Sequence, residues 1–129
     1  MDVLTKKRNI VLGEDLSPDK KKRKEPKHTL IEFGLYRGLI MIAILSVLDN
    51  FGTLTRKQLN AMVRKKLKEN VPTTKIQNMT RLLRLWGYVK KERVTRHLQI
   101  TEKGKEILKR SKDFVLRLVM ALFDKEFVL

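Results

Sequence analysis

The 129-residue sequence contains no cysteine, three prolines, six scattered glycines, one tryptophan and two histidines, and its 14 acidic side chains are outnumbered by 30 lysines and arginines. The absence of cysteine removes disulfide frameworks and thiolate metal sites together. His28 and His97 stand far apart and do not supply the clustered ligands that a zinc site needs, so the reading is of a chain with no metal and no cofactor. Long apolar runs are also missing. The two densest, Leu39 to Leu48 and Phe114 to Phe123, span about ten residues each, where a bilayer requires about 20. Arg117 interrupts the second. The opening MDVLTKKRNI carries no apolar segment of the kind that directs secretion, which makes export and a membrane location unexpected. No paired carboxylates lie in an apolar context, no Ser-His-Asp set has workable spacing, and no glycine-rich phosphate loop exists. The chain reads as a binding protein, not an enzyme.

Present in abundance are positive charge and a moderate apolar fraction. Hydrophobic residues make up 42% of the chain, enough for one modest core. The formal charge is +16, which makes polyanions the default partner, because neutralising phosphates releases condensed counterions. The charge is unevenly placed. Residues 1–29 hold nine basic and five acidic side chains, and residues 53–112 hold 18 and four. Most of the excess therefore belongs to the expected folded part. Residues 1–29 read as a basic, extended N-terminal arm, in which Lys20-Lys21-Lys22-Arg23-Lys24 lies between Pro18 and Pro26. Such a block adds sequence-independent attraction for phosphates, and in a eukaryotic host it also has the form of a nuclear-import signal. Residues 30–129 read as the domain.

Hydrophobic spacing predicts a mainly α fold with a small β-hairpin. A helix from about Leu30 to Asn50 is apolar nearly all round from Leu39 onward. Thr53-Leu54 is long enough only for a strand stub. Thr55 followed by Gln58 forms a capping box for a second helix that ends near Asn70. After Val71-Pro72, Thr73 or Thr74 caps a third helix running to Trp86, with Gly87 at the position that favours a left-handed backbone. In this third helix Ile76, Met79, Leu83 and Trp86 share one face, and Thr74, Gln77, Asn78, Arg81 and Arg84 share the other. Tyr88 to Ile100 reads as a hairpin with a basic tip, and Thr101 starts a last helix of more than about twenty residues.

This order, with Gly52-Thr53-Leu54-Thr55-Arg56-Lys57-Gln58-Leu59, the exit Leu82-Leu83-Arg84-Leu85-Trp86-Gly87-Tyr88-Val89 and the exit Leu98-Gln99-Ile100-Thr101-Glu102-Lys103-Gly104, resembles the winged helix-turn-helix family over about residues 35–125. Prokaryotic transcription regulators of the MarR/PadR sort and small archaeal chromatin proteins share that fold. The resemblance implies extended N- and C-terminal helices and a double-stranded DNA partner. The third helix (73–86) would enter the major groove through Thr74, Lys75, Gln77, Asn78, Arg81 and Arg84. The wing (90–98) would meet the backbone or minor groove through Lys90, Lys91, Arg93, Arg96 and His97, and Thr55, Arg56 and Lys57 would lie on the backbone beside the groove. A transcription regulator or a chromatin-like architectural protein follows, cytoplasmic and nucleoid-associated, or nuclear in a eukaryotic host. The alternative is a winged-helix interaction module serving transcription or replication machinery.

The two apolar stretches exceed what one small domain is expected to cover, which points to a homodimer. Leu39, Ile40, Ile44, Phe114, Leu118, Leu122 and Phe123 are its expected interface, and a two-fold axis would set two recognition helices about 34 Å apart.

Overall fold

Capping chemistry sets most of the element starts. The computed structural model describes residues 24–68 and 70–123. A 3-10 turn at Leu30–Phe33 precedes helix α1 (Leu35–Phe51), followed by α2 (Arg56–Leu67), α3 (Thr73–Leu85), strands β1 (Val89–Lys91) and β2 (Leu98–Ile100), and α4 (Glu102–Leu122). Thr55 accepts a hydrogen bond from the Gln58 amide at 3.1 Å while the Gln58 side chain accepts from the Thr55 amide at 3.0 Å, the expected capping box. The Thr101 hydroxyl accepts from the Gly104 amide at 3.0 Å and starts α4.

Two starts differ from the sequence expectation. The helix expected from Leu30 is split, because Thr29 and Glu32 close a capping box around a single 3-10 turn and Gly34, at φ 111°, turns the chain before α1 begins. At α3 the cap is Pro72, with Thr73 the first helical residue. The Pro72 carbonyl accepts from the Lys75 and Ile76 amides, and the fixed proline φ of −59° prepares the first turn. The exit from α3 is as expected. Gly87 has φ 85°, and the Tyr88 amide reaches the Leu83 carbonyl at 2.8 Å while the Gly87 amide reaches that of Arg84 at 3.1 Å. These two bonds satisfy carbonyls that a helix end otherwise leaves open.

Helix α1 is the hub of the core, packed against the 3-10 turn, α2, α3, α4 and β2. From Ile40 to Leu48 its side chains are buried or half-buried within the chain, while Leu35, Tyr36, Leu39 and Phe51 stay exposed. Ile40 and Ile44, expected at an interface, are 1% and 0% exposed and belong to the core, whereas Leu39 is exposed. Trp86 is buried and packs edge-on against Phe33 and Tyr88, with ring centroids 5.2 and 6.2 Å apart. It fastens the end of α3 to the scaffold, as its place on the apolar face implied.

The two strands pair antiparallel with Val89 opposite Ile100 and Lys91 opposite Leu98. Leu54 joins on the far side of β2 through two backbone hydrogen bonds with Leu98, at 3.0 and 2.7 Å. The stub expected at Thr53-Leu54 is this one bridge.

Helix α4 changes character along its length. Ile107, Leu108 and Ser111 are buried, and the Ser111 hydroxyl accepts from the Leu30 amide at 2.9 Å. Beyond Ser111 the helix leaves the body. Phe114, Leu116, Leu118, Val119, Met120, Leu122 and Phe123 are all exposed, Phe123 by 81%.

The boundary between arm and domain also moves. Residues 24–29, assigned above to the arm, pack on the domain. Glu25 accepts a 2.7 Å hydrogen bond from the Tyr88 hydroxyl and pairs with Lys103 at 3.1 Å, Pro26 is buried, and the Arg110 guanidinium donates to the His28 carbonyl at 2.9 Å. The remainder of the arm, with Lys20 to Arg23, and residues 124–129 lie outside the described residues.

The Tyr88 hydrogen bond, then Lys103, hold the Glu25 carboxyl below its ordinary value despite some burial. Burial pushes Glu32 up, and the amides of Thr29, Lys27 and His28 more than offset it, so it too lies low. Groups whose folded value is lowered stabilise the fold fully above the ordinary glutamate range, about 4.3, and lose that contribution as pH falls through the folded value. Residues 24–30 are therefore expected to detach on acidification before the core unfolds. Amide exchange at Lys27, His28 and Leu30, followed from about pH 6 to about pH 3, should show their protection falling ahead of Ile44.

Among the described glycines, Gly104 leaves the least room for a side chain. A Cβ there would overlap the Tyr88 carbonyl and touch Ile100 at 2.8 Å. Gly104→Ala is expected to cost about 1–3 kcal/mol, the range for overpacking, measured by denaturant unfolding.

Candidate nucleic-acid interface

Three separate stretches of chain build one basic face. On α3, Gln77, Arg81 and Arg84 recur at helical spacing on the side away from Ile76, Met79 and Leu83, with the buried Thr80 between the two faces. The hairpin supplies Lys91 and Arg96. The third contribution comes from the start of α2. The single antiparallel bridge between Leu54 and Leu98 brings the segment entering α2 beside the hairpin, and Arg56 and Arg96 line the same notch.

The result is a notch of about 60 Å³ lined by Arg56, Gln77, Thr80, Arg81, Arg84, Lys91, Arg96 and Leu98. Its lining contains five cations and no carboxylate. Arg96, then desolvation, Arg84 and Arg56 hold the Lys91 ammonium below the ordinary lysine value. That direction records mutual repulsion among cations with nothing negative between them. The Arg81 guanidinium donates to the Asn78 side chain at 3.3 Å; among the described residues those of Arg56, Arg84 and Arg96 have no hydrogen bond or ion pair. Two open grooves continue from the notch. One runs over Arg84, Lys91, Glu92, Arg93 and Arg96, and the other over Arg81, Arg84, Leu85, Gly87, Val89, Lys90, Lys91 and Thr101.

The hairpin tip is ordered by an acid that the sequence expectation did not use. The Glu92 carboxylate accepts from the amides of Val94 and Thr95 at 2.8 and 2.7 Å and from the Thr95 hydroxyl at 3.1 Å. The Thr95 amide and hydroxyl, followed by the Val94 amide and His97, hold Glu92 below its ordinary value against a small desolvation. The tip then returns through Arg96 at φ 63°, a left-handed conformation unusual for a side-chain-bearing residue.

Of the residues expected to meet DNA, Arg56, Gln77, Arg81, Arg84, Lys91 and Arg96 converge on the notch, while Arg93 and Lys90 lie in the adjoining grooves. Lys57, Thr74 and Asn78 are exposed outside the lining of all three. Three others are engaged elsewhere. Lys75 lies 5.5 Å from the Tyr36 ring centroid, the Thr55 hydroxyl is committed to its capping box, and His97 is half-buried with its carbonyl accepting from the Glu92 amide. Thr80 was not anticipated, because its hydroxyl donates to the Ile76 carbonyl at 2.8 Å and its 5% exposure places it at the notch floor. The trio Glu25, Tyr88 and Lys103 was also missed. Its members are far apart in sequence, and no local pattern marks them.

Glu92→Ala is expected to loosen the tip without unfolding the domain. Amide exchange should accelerate selectively at Val94 and Thr95, and in the unaltered chain the same amides should lose protection as pH falls below the lowered Glu92 value.

Among the described residues no helix is long and apolar enough to cross a membrane, and no group of three or more metal-ligating side chains occurs. In comparison with known proteins, the chain matches no family model, no curated protein and no solved structure.

Proposed function

We propose that this chain is a winged helix-turn-helix protein that binds double-stranded DNA without catalysing a reaction, as a transcription regulator or a chromatin-like architectural protein. The observation that carries the reading is the convergence of Arg56, Arg81, Arg84, Lys91 and Arg96, from two helices and a hairpin, on one face with no carboxylate in its lining. An exposed helix face with arginine, asparagine and glutamine tips suits the major groove, and a basic hairpin beside it suits the flanking backbone. The one-signed charge favours nucleic acid over a protein partner, whose surface would call for mixed signs. Such a protein would work in the cytoplasm at the nucleoid, or in the nucleus of a eukaryotic host.

The proposal includes a homodimer, with its interface moved relative to the sequence expectation. Leu108, Ser111, Val115, Leu118 and Leu122 alternate at three and four residues, the seam of a two-stranded coiled coil. The first two are buried in the domain, and the others continue the seam where α4 projects from the body. The interface then consists of Phe114, Leu118, Leu122 and Phe123 with Val115 and Val119, without Ile40 and Ile44. Leu39, 38% exposed, stays available at its margin.

Removing Arg81, Arg84, Arg93 and Arg96 together by alanine substitution should lower duplex affinity. It should also reduce the slope of log affinity against log salt by about one unit for each phosphate no longer neutralised. Undiminished affinity in that variant, measured by fluorescence anisotropy at two or more salt concentrations, would remove the assignment. Selection from a genomic DNA pool separates the two roles: a sharp palindromic motif indicates a regulator, a flat profile an architectural protein. Light scattering should give twice the 15.2 kDa chain mass, and Leu118→Glu with Leu122→Glu should return the single-chain mass with helix content retained.

A further inference from the structure

The notch between α3 and the hairpin differs from the open grooves beside it. It is small, it is framed on three sides, and its floor is made of Thr80 and Leu98, which are 5% and 3% exposed. Guanidinium groups present planar forks of donors that match phosphate oxygens in pairs. Four such groups and one ammonium line a space of about 60 Å³, room for one phosphoryl group with the rest of its ligand in the open grooves beside it. Three of the four guanidinium groups make no hydrogen bond or ion pair among the described residues, so their donors face solvent without competition from the protein.

Two further observations point the same way. Arg96, which lines the notch, is the left-handed residue that closes the hairpin tip, and the hydrogen bond from its amide to the Glu92 carbonyl at 2.9 Å holds it in place. The Glu92 carboxylate is hydrogen-bonded to the tip amides of Val94 and Thr95 and forms no ion pair with the cluster among the described residues. Glu92 lines the adjoining groove and not the notch.

We infer that the notch formed by Arg56, Arg81, Arg84, Lys91 and Arg96 is a discrete binding site for a single phosphate group. The site deepens the DNA reading, on which it rests only for the source of the phosphate. A backbone phosphodiester seated there would fix the register of α3 against the groove, and a free polyphosphate would compete for the same donors. Binding relieves the repulsion among the five cations, so the ligand stabilises the folded chain beyond the effect of added salt.

The test uses the full chain and inorganic pyrophosphate, with sodium chloride at matched ionic strength as the reference. The expected result is a saturable one-to-one isotherm in which the guanidinium NMR signals of Arg56, Arg81, Arg84 and Arg96 move together and those of Arg64 and Arg110 do not. A rise in Tm with pyrophosphate that chloride does not reproduce is the second expected readout. Lys91→Gln with Arg96→Gln should weaken pyrophosphate binding by about tenfold or more, the scale of one or more missing charge-assisted hydrogen bonds. Lys65→Gln with Lys66→Gln, which removes the same charge from the exposed side of α2, should weaken it by less than about twofold. Equal weakening by the two variants, or shifts that grow without saturating at every arginine, overturns the site. Displacement of pyrophosphate by a short duplex assigns the seat to a backbone phosphodiester, and saturable pyrophosphate binding that duplex does not disturb assigns it to a free anion. Failure of duplex binding alongside intact pyrophosphate binding removes the DNA reading and leaves the site standing.

Discussion

Two backbone hydrogen bonds between Leu54 and Leu98 organise the basic face. They attach the segment entering α2 to the outer edge of the hairpin, and both leucines are buried beneath it. With that bridge made, α2 starts next to the hairpin, and Arg56, its first residue, lines the same notch as Arg96. The hairpin, in turn, is held to the end of α3 by the Gly87 turn and by α4, whose Gly104 lies against the Tyr88 carbonyl. Loss of the bridge would leave each cation on the surface but scatter the cluster.

Charge within this face works against the fold and toward a ligand. Cations packed without an intervening carboxylate repel one another, and the lowered Lys91 value is the local record of that repulsion. Apolar burial around α1 offsets it, so the domain holds an arrangement that its surface electrostatics alone would disperse. On the opposite flank the rule reverses. Glu25 is paired with Tyr88 and Lys103, and Glu32 with three amides, so the described acids at the N-terminal edge fasten the chain while the notch has none.

Much of the local structure was legible because its causes are local. The Thr55 and Gln58 capping box, the Thr101 cap, the left-handed Gly87 and the apolar stripe through Ile76, Met79 and Leu83 each depend on residues within a turn or two. The continuous helix expected from Leu30 failed for an equally local reason, the Thr29 to Glu32 capping box followed by Gly34, whose signal the apolar pattern around it conceals. Composition is a poorer guide to packing. Leu39 to Leu48 and Phe114 to Phe123 look alike as apolar runs, yet the first is enclosed from Ile40 onward by the neighbouring helices and β2 and the second is largely exposed.

The sequence by itself determined which segments are helical, where most of them begin and end, and which sixty-residue stretch carries the positive charge, since capping, periodicity and composition act over short distances along the chain. Tertiary structure alone decided that Arg56 and Arg96 line one notch, that Glu25 meets Tyr88, and that the far half of α4 keeps its apolar face free. Those outcomes depend on strand register and on which surfaces the core has already used, and neither is written in any one stretch of residues.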